Sequence, residues 1–299
     1  MRIFILGLRR SGTTIFWESF RKDRRLLCFN EPFNPALYEL PVEIPNRSRR
    51  EVIEIFRKDP ETFWRRFAPI AVTEELQHGF SDRQAEYLRY LMGTESICTD
   101  VTRCHFKLEA LKQLVPDATI VHLYRAPAAF ASSHMIPTGS GGYRTGPLIR
   151  TRGRLRFFER GNHFNHWGME TLTGSDPDSL FGRRLREIGM DPEAVLALPA
   201  LGRLLAVWRL AYETVERDAR RWFGERFVSL PFERFCREPL QAVEQVYAAA
   251  GESPPPGLDV SRVNDAKGRH RAADPRWRTL FEKVGIPLWR LDGEEPSHD

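Results

Sequence analysis

The 299-residue chain is 41% hydrophobic and 28% charged, enough apolar content for a substantial core and too much for a disordered polymer. No run approaches the eighteen apolar residues of a membrane helix, and Cys28, Cys98, Cys104 and Cys236 are too scattered for a metal knuckle, so no metal is expected and the thiols read as reduced. A net charge of +5, carried mostly by arginine, points to an anionic partner. The apolar stretch Ile3–Leu6 is followed at once by Arg9 and Arg10, unlike a secretory signal, and the expected location is cytoplasmic.

Residues 2–8 read as a buried strand ending in glycine, followed by a helix over Thr13–Lys22 with Ile15, Phe16, Ser19 and Phe20 on related faces. Leu26–Phe29 is a second short strand, stopped at Glu31-Pro32. Residues 48–92 read as helical, with starts at Asp59-Pro60 and Ser81-Asp82. Ser96–Val101 is a strand, His105–Leu114 a helix, Ala118–Tyr124 a strongly apolar strand and Pro127–Met135 a helix. Residues 137–178, rich in Gly, Arg, Thr and aromatics, lack periodicity and read as a long excursion. A long amphipathic helix covers Leu201–Phe223, then come a strand at Phe227–Leu230 and a helix at Pro239–Ala249. The linker Ser253–Gly257 opens a polar tail. Strands alternating with helices predict an α/β fold, a P-loop-type parallel sheet flanked by helices on both faces, interrupted by an irregular basic insertion.

Such sheets bind ligands at the carboxyl ends of their strands, here the loops after residues 8, 29, 101 and 124. In the first, Gly7-Leu8-Arg9-Arg10-Ser11-Gly12-Thr13-Thr14, a glycine-bearing turn opens a helix. Main-chain N–H groups converge there and the helix terminus adds partial positive charge, which suits a phosphate. The spacing is that of a P-loop, except that Thr13 holds the lysine position and the cation, Arg10, stands earlier in the turn. The missing lysine weakens the case for phosphoryl transfer from ATP.

Arg10-Ser11-Gly12-Thr13-Thr14 after a hydrophobic strand resembles the loop with which sulfotransferases hold the 5′-phosphosulfate of 3′-phosphoadenosine 5′-phosphosulfate (PAPS). The resemblance implies that Arg9, Arg10, Ser11, Gly12, Thr13 and Thr14 bind this group, with Arg10 neutralising the bridging oxygen as the sulfuryl group leaves. A second match, Ile120–Pro127 continuing to Ser132-Ser133, is similar to the family's 3′-phosphate element: a strand, Arg-x-Pro, and a serine eight residues after the arginine. It implies Arg125 and Ser133 as 3′-phosphate ligands, with Ser132 the neighbouring alternative. Residues 225–239 resemble a late architectural strand and helix of the family. Val263–Arg269 sits where the family carries a basic glycine loop, implying Lys267, Gly268 and Arg269 over the 3′-phosphate. The implied arrangement is one sulfotransferase-like domain over 1–299, with 137–200 as a lid or substrate-binding insertion and 253–299 as a tail closing over the nucleotide. Donor and product would be PAPS and 3′,5′-adenosine bisphosphate, without a metal.

Sulfuryl transfer requires a base for the acceptor hydroxyl. Glu31, in Asn30-Glu31-Pro32, lies twenty residues beyond Ser11 and resembles the Glu-Pro element of the carbohydrate and bacterial branches that use a glutamate base. His105 resembles the histidine base of the small-phenol and steroid branch, with Arg103 in place of its lysine. Glu31 is favoured, His105 is second, and Arg103 is a possible sulfuryl or substrate contact. The excursion carries Arg144, Arg150, Arg152, Arg154 and Arg156 beside aromatics, which reads either as an acceptor groove or as a solvated lid. His163 and His166 lack a third ligand for metal. The expected partner is a small-molecule or glycan acceptor, such as a carbohydrate, glycolipid or secondary metabolite, attacking through a hydroxyl, or second to that an amine. Two other classes stay open: a P-loop small-molecule kinase with Asp100 as its nearest magnesium residue, and a non-catalytic nucleotide or nucleic-acid binder supported by net charge alone.

Overall fold

The computed structural model describes residues 1–39, 49–93, 95–135, 168–258, 260 and 275–291. The chain divides into two compact units, Met1–Tyr124 with Thr214–Asp265, and Arg125–Glu213 with Ala266–Asp299.

The first unit contains a five-stranded sheet: β1 (Arg2–Leu6), β2 (Leu27–Asn30), β3 (Ile97–Asp100), β4 (Thr119–Tyr124) and β5 (Phe227–Pro231). Their order is β2-β3-β1-β4-β5 and every pairing is parallel, with Ile5 level with Asp100 on one side and Val121 on the other. Parallel strands buried on both faces read as continuous apolar runs, and β1 does so. Its side chains then alternate between two cores. Phe4 and Leu6 join the core formed with α4 (Asp82–Met92), α5 (Leu108–Leu114) and Val215, Ala219 and Phe223 of the long helix Ala200–Phe223. Ile3 and Ile5 join the core formed with α1 (Thr13–Phe20) and the helix Pro239–Ala249. The expected sheet covered on both faces is therefore present.

The two faces locate a crevice. The loop after β1 leads to α1 on one face, whereas the loop after the adjacent β3 leads to α5 on the other. Neighbouring loops that diverge in this way leave an opening at the carboxyl ends of the strands.

Three stretches differ from expectation. Residues 48–92 form α2 (Arg50–Lys58), α3 (Pro60–Arg66) and α4, capped as anticipated by Asp59 and Ser81, but between Phe67 and Ser81 only a 3₁₀ turn at Val72–Glu74 is helical. There the carbonyls of Glu74, Gln77 and Gly79 accept from the fully buried Lys107 Nζ at 3.1, 2.9 and 2.7 Å, so a side chain does what a helical ladder would have done. The helix expected from His105 begins at Leu108, because Cys104 N–H donates to Val101 O and Lys107 N–H to Cys104 O in successive turns. The third is the tail, which contains a helix, Pro275–Val284.

In the second unit α6 (Pro127–Met135) follows β4 as predicted. Met169–Thr173, Leu180–Glu187 and Pro192–Leu196 are short helices, the last two capped by Ser179 and Asp191, in a stretch where sequence periodicity was too brief to show them. The basic cluster Arg144–Arg156, His163 and His166 lie outside the described residues.

Candidate functional site

The loop after β1 is shaped by two close approaches. A Cβ at Gly7 would stand 2.4 Å from Thr13 Cγ2 and 2.5 Å from the Leu123 carbonyl, so only glycine lets β1 leave the sheet beside β4. Gly12 has φ +91°, and a Cβ there would meet the Phe232 ring at 2.1 Å. Ser11 N–H donates to Leu8 O at 3.0 Å, closing the turn. Gly12 O then receives the first helical bonds, from Ile15 and Phe16 at 3.1 and 3.2 Å. The N–H groups of Gly12, Thr13 and Thr14 precede those bonds at the helix terminus, the arrangement that receives anions. Ser11 and Thr13 are buried, Thr14 is half-buried and Arg10 is exposed.

Among the described residues, Arg10 (φ +75°) and Glu31 (φ +45°) have positive φ without being glycine. Such conformations cost of order 1–3 kcal/mol and gather at functional sites. Glu31 directly follows β2, where its N–H donates to Asp100 O at 3.0 Å. Its carboxylate accepts from Asn34 Nδ2 at 2.5 Å and from Thr102 Oγ1 at 3.3 Å. The Asp100 carboxyl is completely buried, accepts from Asn30 Nδ2 at 3.2 Å and is hydrogen-bonded to the Thr13 side chain. Burial, reinforced by the nearby Glu31 carboxylate, pushes Asp100 well above the usual carboxylate range.

A further ionic group lies behind the loop. Glu75 bridges Arg9 and Arg103, all three almost fully buried. Burial first, and then Arg9, draws the Arg103 guanidinium below its ordinary value, while Glu75 and Glu31 oppose that shift. Arg9, named from the sequence as a phosphate contact, is therefore already engaged with Glu75. Neither Glu75 nor Lys107 carried a motif signal. Their roles depend on the irregular segment between α3 and α4 meeting the turns that join β3 to α5.

His105 is 4% exposed, and its Nε2 has no hydrogen-bond partner among the described residues. Burial, with His122 and Arg9 adding repulsion, pushes its imidazole down to about 3, so it is neutral and weakly basic near neutrality. Cys104 beside it is pushed up to about 12 by burial, an inert thiol.

In the second unit, Arg125 follows the last residue of β4 and is half-buried, and its carbonyl accepts from Trp208 Nε1 at 2.8 Å. Ser133 lies on α6 with its hydroxyl donating to Phe130 O at 2.7 Å, so donation to a phosphate requires release of that bond. Lys267, Gly268 and Arg269 lie outside the described residues. No group of three or more His, Cys, Asp or Glu that could hold a metal ion occurs among the described residues.

Residues 2–170 match the sulfotransferase family, more than half of the 299-residue chain. The chain belongs to the sulfotransferase family. Two solved sulfotransferases are among the structures this family member resembles. One is the sulfotransferase domain of the Synechococcus olefin synthase, at 14% identity and TM-score 0.49, covering 99% of this chain and 96% of that one. The other is a sulfotransferase from Mycobacterium tuberculosis, at 15% identity and TM-score 0.45, covering 95% of this chain and 76% of that one. Family membership rests on the family match, since these likenesses are distant. A comparison with curated protein sequences finds no match.

Proposed function

We propose that this sulfotransferase-family protein transfers a sulfuryl group from PAPS to a hydroxyl of a small-molecule or glycan acceptor, with Glu31 as the base. The observation that carries the reading is the pairing of two strained non-glycine residues, Arg10 on the anion-binding loop and Glu31 at the end of β2. The loop fits a phosphate group: Gly7 and Gly12 let it pack tightly against Leu123, Thr13 and Phe232, and the N–H groups of Gly12, Thr13 and Thr14 stand at the start of α1.

When bound, PAPS supplies a sulfur already bonded to a phosphate oxygen, which serves as the leaving group. Ser11–Thr14 and Arg10 hold the 5′ end and offset the charge that collects there. Arg125 and Ser133 take the 3′-phosphate, with Lys267, Gly268 and Arg269 as further ligands. Glu31 accepts the acceptor proton as the new S–O bond forms and the S–O bond to phosphate breaks. Asn34 and Thr102 orient its carboxylate, and Arg103, three residues beyond β3, is near enough to feel its charge. His105 is the poorer base, being buried and pushed down to about 3 by that burial. The kinase alternative loses ground because Thr13 replaces the lysine and Asp100 is completely buried, with its pKa raised by that burial. The segments 137–200 and 253–299 are assigned to acceptor binding and closure over the nucleotide, and the location to the cytoplasm.

Incubating the protein with PAPS and a panel of hydroxylated metabolites and oligosaccharides, then reading products by mass spectrometry, should show addition of one sulfuryl group. Glu31→Gln should lower turnover by about 10²-fold or more while keeping bisphosphate binding. Near-normal turnover in that variant would remove Glu31 from the base position.

A further inference from the structure

The proposed 3′-phosphate residue Arg125 is held by a side chain that no motif marks. Its carbonyl accepts the indole N–H of Trp208 at 2.8 Å, and Trp208 is itself only 3% exposed. The indole is stacked on Tyr212, one helical turn later, with centroids 4.9 Å apart and rings 9° from parallel. The guanidinium of Arg290 lies 4.2 Å from the Tyr212 centroid and 5.7 Å from that of Trp208, and its Nη2 donates to Tyr212 Oη at 2.8 Å. Arg290 belongs to the 3₁₀ turn Leu288–Leu291, which follows the helix Pro275–Val284. That helix is tied down by Arg209, whose Nη1 donates to Val284 O at 2.6 Å while its Nε donates to Glu213 at 2.6 Å. A Cβ at Gly285, where φ is +68°, would stand 2.5 Å from the same Nη1, so the turn after the helix is seated against Arg209.

These contacts make one column, Arg290–Tyr212–Trp208, ending on the peptide that joins Arg125 to Ala126. The position matters for the Arg125 side chain. The Arg125 carbonyl belongs to the peptide that precedes Ala126, and its indole partner bears on the orientation of that plane, while Pro127 restricts the backbone of Ala126 from the other side. An indole supplies that partner with a single donor and no competing acceptor. The orientation of this plane in turn fixes the direction in which Arg125 leaves the strand end.

We infer that Trp208 is a positioning residue for Arg125, and that the column Arg290–Tyr212–Trp208 sets how its guanidinium meets a 3′-phosphate. The inference rests on the assignment of Arg125 in the proposed function, and the test separates the two. Binding to the full-length chain is measured by calorimetry with 3′,5′-adenosine bisphosphate and with adenosine 5′-monophosphate, which differ only in the 3′-phosphate. Arg125→Gln should weaken the bisphosphate and leave the monophosphate unchanged; equal losses for both would overturn the assignment of Arg125 itself. Trp208→Phe keeps the ring and removes the N–H. It should weaken the bisphosphate by roughly threefold to tenfold, the range to which one neutral hydrogen bond converts, with the monophosphate unaffected. Equal weakening of both nucleotides, or of neither, in a protein where Arg125→Gln discriminates would overturn the inference alone. Arg290→Gln acts on the outer, half-exposed end of the column and tests it even if Trp208→Phe fails to fold. It should produce the same selective loss at smaller size, and an unchanged bisphosphate affinity would overturn the column's role.

Discussion

At the scale of single residues, burial decides which titratable groups can act. Glu31 and His105 both stood as bases in the sequence, just beyond two strands that the fold makes neighbours, the edge strand β2 and the interior strand β3. In the fold Glu31 is half-buried, with a carboxylate held by Asn34 and Thr102, whereas His105 is enclosed and kept neutral. The consequence for stability follows from proton counting. Between the ordinary value of 6.5 and the folded value of about 3, the unfolded chain binds a proton at His105 that the folded chain does not. Stability therefore falls as pH is lowered through that window. His105→Leu should remove this part of the acid sensitivity, roughly 1–3 kcal/mol between pH 7 and pH 4, read from urea denaturation at each pH. A pH dependence identical to that of the parent protein would show that His105 gains a proton while folded. Glu75 illustrates the same point from the other side. Nothing in its neighbourhood, Thr73-Glu74-Glu75-Leu76, separates it from a surface acid, yet it is the buried counter-ion of Arg9 and Arg103.

At the scale of elements, the anion-binding loop works because a strand, a turn and a helix are brought unusually close. Gly7 lets the chain pass the Leu123 carbonyl, and Gly12 combines a left-handed backbone with contact to Phe232, the first residue of the helix after β5. The loop is thereby fitted against both β4 and the element that follows β5. Gly12→Ala carries two penalties, a positive φ on an L side chain and a methyl group driven into an aromatic ring. It should lose about 2 kcal/mol or more of stability in chemical denaturation, together with bisphosphate binding. Adding Phe232→Ala should recover the steric part but not the backbone part. A Gly12→Ala protein of parental stability would mean that the loop rearranges freely, which would remove the case for a preformed cradle.

For the whole molecule, the functional reading makes a demand on ligand selectivity. A chain whose loop lacks the P-loop lysine and whose Asp100 is completely buried should be stabilised by 3′,5′-adenosine bisphosphate and much less by ATP with magnesium. At a hundredfold excess over Kd the expected gain is about 2.7 kcal/mol, a shift of several degrees in Tm. A magnesium-dependent shift with ATP and none with the bisphosphate would favour the kinase alternative. No helix among the described residues is long and apolar enough to cross a membrane. The sequence by itself determined the five strands and the helices that follow β1 and β4, the glycine loop and its missing lysine, and the caps at Asp59 and Ser81. These are local properties, since periodicity, glycine spacing and capping act within a few residues along the chain. Only the tertiary structure decided that β1 lies between β3 and β4, that Arg10 and Glu31 share a strained backbone, that His105 is enclosed, and that Lys107 and Glu75 organise the segment between α3 and α4. Those features depend on desolvation and on partners 28 to 66 residues away, as with Glu75 and its two arginines. No local pattern encodes such distances.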